Sequence, residues 1–235
     1  MRVAKDLEIF ASSSFTRSLV EDPPDGGPRA ISRVFAPGSV VGAPGESRVV
    51  YSELALRLDT RPTLGRPSSG ALIEGYGGVG TGVGADPTRF FRVGGRGALY
   101  LPIERRANIL SPKLVIDGMI TPEGVPVPFT HLVAQPEFRG FDTRRDNLSI
   151  VASLDYRWAM IRYAGARLFV DVATVAPSFQ SIFDAPPRFA VGFGVDLYGA
   201  STELGQFALA VSPEGARVLF TFGVPTSFGD RQHRY

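Results

Sequence analysis

Cysteine is absent from the chain, and histidine occurs only twice. Without cysteine there is no disulfide framework, no thiolate metal site and no cysteine nucleophile. His131 and His233 have no carboxylates around them at metal-ligand spacing, and no nucleophile elbow or phosphate-binding loop is present. We therefore expect no metal, no cofactor and no enzymatic activity.

Long hydrophobic runs are also missing. No segment approaches the roughly 18 consecutive apolar residues that indicate a membrane-spanning helix, so a helical membrane protein is excluded. Hydrophobic residues make up 44% and charged residues 20%, but this soluble-looking average also fits a transmembrane β-barrel, whose strands alternate apolar and polar side chains. The formal net charge of +2 is too small to indicate a nucleic-acid partner.

Apolar residues instead recur at every second position. The clearest case is the segment 189–197, in which bulky apolar residues alternate with glycine, alanine and Asp196. About nine segments have the length of a tilted barrel strand, and charges occupy their polar faces. A dry sandwich core could not bury such charges unpaired, whereas a water-containing lumen could. The pattern therefore favours an antiparallel transmembrane β-barrel over a soluble β-sandwich.

The strand number depends on the N-terminal segment, residues 1–47. A closed antiparallel barrel needs an even number of strands, so nine clear segments imply either about ten strands, which we expect first, or eight. Val3 to Phe10 and Ile31 to Val41 are the candidates for the additional strand. The barrel itself is assigned to residues 48–235. Because the N-terminus lacks the apolar core of a secretory signal, we expect that a signal, and an upstream domain with it, was removed.

Ten glycines lie between Gly70 and Gly97. Glycine in a strand marks a bend or a close approach of another group. Two interpretations stay open here: tight curvature of the barrel wall, or clearance for something that occupies the lumen.

The longest interruption of the strand pattern is residues 121–146, and loops of this length are usually functional or disordered. It contains the motif Phe138, Arg139, Gly140, Phe141 and Asp142. Two strands follow, with Asp155 and Asp171 on their polar faces.

This ordered set resembles the BamA-type outer-membrane assembly and translocation superfamily, also called bacterial surface antigens, from about Tyr51 to Phe228. The resemblance implies a barrel in the bacterial outer membrane with a plug loop folded into its lumen. It also implies that Arg139 pairs with Asp155 and Asp171, because a guanidinium offers bidentate geometry to carboxylates. Gly140 would permit a backbone turn, and Phe141 would pack against the inner wall.

The chain departs from the family in length, since the usual barrel has more strands and follows periplasmic repeat domains. Asp155 stands where Glu is more common, and Ala173 replaces a common glycine. The resemblance implies protein or lipid insertion or translocation, with membrane lipid and unfolded client proteins as partners. The alternative is a structural membrane anchor or a partial barrel that is completed by a second barrel chain.

Overall fold

A computed structural model describes residues 2–4, 6–21, 45–62, 67–103, 108–122, 125, 127–141, 144–199 and 203–222. They form one antiparallel sheet of eleven strands, each paired with the next along the chain. The strands are β1 (Arg2–Ala4), β2 (Leu7–Val20), β3 (Gly45–Asp59), β4 (Gly70–Gly82), β5 (Arg89–Ile103), β6 (Asn108–Ile120), β7 (Leu148–Ile161), β8 (Ala164–Ala176), β9 (Arg188–Tyr198), β10 (Glu203–Ser212) and β11 (Gly215–Phe222). The described helices are the 3-10 turns Phe129–His131 and Ser181–Phe183, and none is long and apolar enough to span a membrane.

Ten of these strands are long, and β1 is a three-residue strand at the edge of the sheet. The expectation of about ten strands in an all-β antiparallel fold is therefore confirmed, and the alternative of eight is wrong. The expected strand from Val3 to Phe10 is divided between β1 and β2, and β2 continues to Val20 in register with β3. The second candidate, Ile31 to Val41, lies outside the described residues.

The ladder runs from β1 to β11 without a crossover. Within the described residues, no pairing joins β11 to β1 or β2, so these residues form an open ladder. The final strand, β11, has eight residues, whereas β3 and β5 have fifteen each.

The two faces of the sheet differ sharply in chemistry. The outer face carries large apolar side chains that are about half exposed, and these include Leu54, Leu56, Phe91, Leu114, Leu154, Leu168, Val170, Phe189, Val191 and Phe193. The inner face buries charged side chains, and these include Glu74, Arg92, Arg96, Asp117, Asp155, Arg167, Asp171, Arg188 and Asp196. An extended apolar surface of this kind indicates contact with lipid or another apolar partner.

The glycines of β4 and β5 make room for aromatic rings of neighbouring strands. A Cβ on Gly78 would overlap the ring of Tyr51, and one on Gly94 would overlap the ring of Tyr76. Gly80 is covered by the Phe90 ring in the same way. The sequence left two interpretations open, tight curvature of the wall or space for a group in the lumen. The glycines do provide space, but aromatic rings of the wall itself fill it.

Candidate functional site

The plug loop, residues 121–146 between β6 and β7, lies against the inner face of the sheet. Val133 and Asp146 pair across the loop in an antiparallel bridge, with Val133 N–H donating to Asp146 O at 2.9 Å. A tight turn follows, in which the Phe138 N–H donates to Gln135 O at 3.0 Å. This turn places the motif residues at the wall.

Apolar contacts hold the first part of the plug loop. Val127 and Val133 are buried in one cluster with Val49, Phe90 and Met119 of the wall. Apolar burial of this kind is non-directional and contributes roughly 25 cal/mol per Å² removed from water. It therefore keeps the loop inside the sheet without defining where the motif lies.

Arg139 fixes the position of the motif by binding to two strands at once. Its Nε donates to Asp171 Oδ2 at 2.9 Å and its Nη2 to Asp171 Oδ1 at 2.5 Å, which is a bidentate pair. The same Nη2 lies 2.6 Å from Asp155 Oδ1 on β7. The backbone N–H of Arg139 also donates to Asp171 Oδ2, at 3.1 Å. We call Arg139, Asp155 and Asp171 the clamp.

A flat aromatic surface completes the clamp. The Arg139 guanidinium lies 3.6 Å from the centre of the Phe169 ring, within the range of a cation–π contact. The Phe169 ring lies across Gly192 on the next strand, where any Cβ would overlap it. Gly192 thus lets the ring lie close to the wall and face the guanidinium.

The two carboxylates of the clamp have different surroundings. Asp155 also accepts from Lys113 Nζ at 2.5 Å and lies 3.7 Å from Arg167 Nη1. Within the described part of the chain, Asp171 is ion-paired with one cation, Arg139. Both carboxylates are almost fully buried, at 1% and 0% exposure. Asp171 therefore depends on the plug loop for its counter-charge, whereas Asp155 keeps partners in the wall.

The two phenylalanines of the motif differ in burial. Phe138, at 1% exposure, packs against the wall together with Val151, Ala173 and Ala190. Phe141 is 38% exposed, and its ring lies over Gly215, which pairs with Ser212 on the face that β10 shares with the buried Ala208 and Ala210. It therefore contacts the inner wall at β11 but is less buried than Phe138. Asp142 lies outside the described residues.

Gly140 lies where the plug loop passes close to the wall. Its φ is not positive, so the backbone turn does not demand glycine. A Cβ there would lie 2.7 Å from the Phe138 ring and 3.0 Å from Ala190 Cβ. A Cβ would therefore hinder the loop at this point through close packing with Phe138 and β9, and the sign of φ plays no part.

Two arginines of the wall hold the motif backbone. Arg188 Nη1 donates to Phe141 O at 2.9 Å, and Arg217 Nη1 donates to Gly140 O at 3.1 Å. Arg188 also donates to the side chain of Gln135. The sequence did not assign these residues to the site. Arg188 begins β9, where burial alternates, and Arg217 pairs with the buried Ala210 of β10. Their location on the inner face was the available signal.

Glu137 and His131 of the plug loop have pKa values that are shifted toward the neutral form. Burial raises the pKa of Glu137, while the nearby cations Lys113 and Arg96 act in the opposite direction. Burial lowers the pKa of His131, partly opposed by Asp86 and reinforced by Arg92. Both groups are therefore biased toward their neutral forms in the folded chain.

A cavity of about 270 Å³ adjoins the loop and is lined by Tyr76, Arg92, Arg96, Gln135 and Glu137 among others. Among the described residues, no group of three or more histidine, aspartate or glutamate side chains is arranged to hold a metal ion. The chemistry of the site is thus ion pairing and packing between a loop and a wall.

Comparison with known proteins gives structural likenesses but no sequence family. No family model matches the chain, and no curated protein matches it. The fold is similar to the crystal structure of BamA from Haemophilus ducreyi lacking POTRA domains 1–3, with a TM-score of 0.59 and 16% sequence identity. The similarity covers 75% of this chain and 42% of that one, so the chain spans less than half of the matched structure. At this identity the likeness concerns the fold, and the fold of the chain is that of a BamA-like β-barrel.

Proposed function

We propose that the chain is an outer-membrane barrel that helps to insert or translocate proteins, or lipids, at the bacterial outer membrane, with the plug loop as its movable element. The observation that carries this proposal is the clamp. Arg139 of the plug loop pairs with Asp155 and Asp171 on two adjacent strands. Within the described residues, Asp171 forms an ion pair with Arg139 alone.

The outer face supports a membrane location with lipid as a partner. The strands β3 to β8 have 13 to 15 residues each, which exceeds the roughly 9–11 residues that a tilted strand needs to cross the apolar layer. Their outward side chains are apolar and exposed, as lipid contact requires.

A buried ion pair suits a positional role better than a stabilising one. The desolvation of two charges offsets much of their attraction, so an intact buried pair contributes little net stability. Loss of one partner is costly, because a charge then stays buried without compensation. The clamp therefore defines where the plug loop lies. Passage of a polypeptide through the lumen would require the loop to leave this position.

The test is an insertion assay in proteoliposomes, using an unfolded outer-membrane protein as client. Arg139→Ala should reduce insertion, because the loop loses its position. Arg144→Ala is the matched control, since Arg144 also belongs to the loop but forms an exposed pair with Glu214 at 3.2 Å. If Arg139→Ala, Arg144→Ala and the unchanged chain all inserted the client equally, the clamp would not be needed for insertion.

The second candidate is a structural anchor or partial barrel, completed by a second copy or another chain. One observation favours it: the ladder of the described residues is open. Mass measurement of the detergent-solubilised protein tests it. A stable monomer with a heat-modifiable gel shift would refute a barrel built from several chains.

A further inference from the structure

The loop between β8 and β9, residues 177–187, folds back over the sheet. Ile182 is 6% exposed and forms a buried cluster with Leu148 and Ala176. The ring of Phe179 comes within 3.5 Å of the position that a Cβ on Gly118 would take. This outer loop therefore packs on three neighbouring strands, β6, β7 and β8.

The covered surface is the outer face of the sheet. Gly118, Leu148 and Ala176 are successive cross-strand partners, so they share one face. Leu148 is seven residues from Asp155 on the same strand, and an odd separation places two residues on opposite faces. Asp155 faces the lumen and binds the plug loop. The outer loop thus lies on the side that the proposed function assigns to lipid.

Two aromatic rings of the outer loop remain uncovered. Phe183 is 92% exposed and Phe179 is 55% exposed, while Asp184 is the single charged residue among residues 177–187. The rings continue the apolar belt formed by outward residues such as Leu154 and Val170, which are each about half exposed. An isolated exposed apolar residue needs no explanation, but an apolar loop joined to an apolar wall indicates an apolar partner.

We propose that Phe179 and Phe183 are a lipid-contacting anchor, inserted at the boundary between headgroups and acyl chains of the leaflet at the plug-loop end of the barrel. This inference rests on the proposed membrane location. The occupant is lipid because the rings extend the surface of the belt, and aromatic side chains flank the apolar band of outer-membrane barrels.

The anchor is joined directly to the plug loop. Residue 187 is followed by Arg188, whose guanidinium donates to Phe141 O and to Gln135 of the plug loop. The contact of Phe183 with lipid therefore lies five residues along the chain from a side chain that holds the motif backbone. The anchor gives the leaflet a physical connection to the plug loop.

Tryptophan fluorescence in lipid vesicles tests the anchor. The chain has one tryptophan, Trp158, at the far end of β7, and Trp158→Phe provides a silent background. In that background, Phe183→Trp reports on the outer loop, and Leu168→Trp, at a 51% exposed position on β8, reports on the belt. Each full-length variant is reconstituted in phosphatidylcholine vesicles with and without brominated acyl chains, and heat-modifiable gel mobility verifies folding.

We expect bromination to quench both reporters, with a blue-shifted emission maximum for Trp at 183. Quenching of the Leu168→Trp reporter without quenching at 183 would overturn the anchor and leave the membrane location standing. If bromination quenched neither reporter, the membrane location itself would be overturned. A blue shift at 183 that depends on protein concentration and is insensitive to bromination would assign the surface to a second copy of the chain, against lipid.

Discussion

Replacement of Arg139 by alanine should open the plug loop while leaving the sheet folded. The variant removes two donor atoms from Asp171 and one donor from Asp155. The backbone N–H of residue 139 remains as a donor to Asp171 only while the loop stays in place. Asp155 keeps Lys113 in either position, so the main loss falls on Asp171.

The size of the effect follows from the burial of Asp171. This carboxylate is 0% exposed, and removal of one partner from a buried pair typically costs about 3–5 kcal/mol. Because about 1.4 kcal/mol corresponds to a tenfold change in an equilibrium constant, the open population of the loop should rise by roughly two to three and a half powers of ten.

Hydrogen exchange measured by mass spectrometry is suited to this change, because exchange of loop amides reports the free energy of local opening. Peptides that cover residues 127–141 should lose protection in Arg139→Ala, while peptides from β7 and β8 keep theirs. In the control Arg144→Ala, an exposed pair is lost that contributes about 0–1 kcal/mol, so loop exchange should barely change.

A second variant separates charge from packing. In Arg139→Ala combined with Asp171→Asn, no uncompensated carboxylate is left at position 171, and part of the protection should return. If the double variant exchanges as fast as Arg139→Ala, the buried charge of Asp171 does not determine the loop position. The reasoning would also be refuted by equal exchange in Arg139→Ala and Arg144→Ala.

Three further predictions concern packing and protonation. Gly192→Ala should lower the temperature at which heat-modifiable mobility is lost, since its Cβ would overlap both the Leu209 carbonyl oxygen and the Phe169 ring. Gly77→Ala, with open space around it, should not. Phe138→Ala should lower the free energy of unfolding by about 3–5 kcal/mol, and Phe141→Ala by clearly less, because only the Phe138 ring is buried. The same temperature measurement should show the larger decrease for Phe138→Ala. Burial lowers the pKa of His131, so the neutral imidazole contributes to stability above the ordinary pKa of about 6.5, and this contribution is lost as the pH falls below that value. Hydrogen exchange of the plug loop should therefore accelerate below about pH 6.5, and His131→Gln should abolish this pH dependence.

The strands were predictable where alternation is strong. Residues 189–197 alternate bulky apolar with small residues, and the structure has β9 over Arg188–Tyr198. The strand β2 was predicted poorly, because serines and a threonine occupy its middle and none of its described side chains is fully buried. Without a buried face, the two-residue period carries little information about where a strand ends.

The clamp residues could be named in advance because the resemblance to the BamA-type superfamily implies their pairing, and the structure brings Arg139 into contact with both carboxylates. The residues that support the clamp could not be named in this way. The approach of Lys113 to Asp155 depends on the register of β6 against β7, and that of Gly192 to Phe169 on the register of β8 against β9. Neither register can be read from local pattern. The burial of Phe138 instead of Phe141 depends on one turn inside the loop.

The rings that lie over glycines in the wall bear on how the strands find their partners. A slip of β4 against β5 by two residues would keep every side chain on its proper face, so hydrophobic patterning alone does not oppose it. Tyr76 lies opposite Gly94, and the slip would set its ring against Arg92 or Arg96. The Tyr76 ring therefore favours one alignment of β4 and β5, whereas Phe90, opposite Gly80, would meet Gly78 or Gly82 after the same slip and does not oppose it.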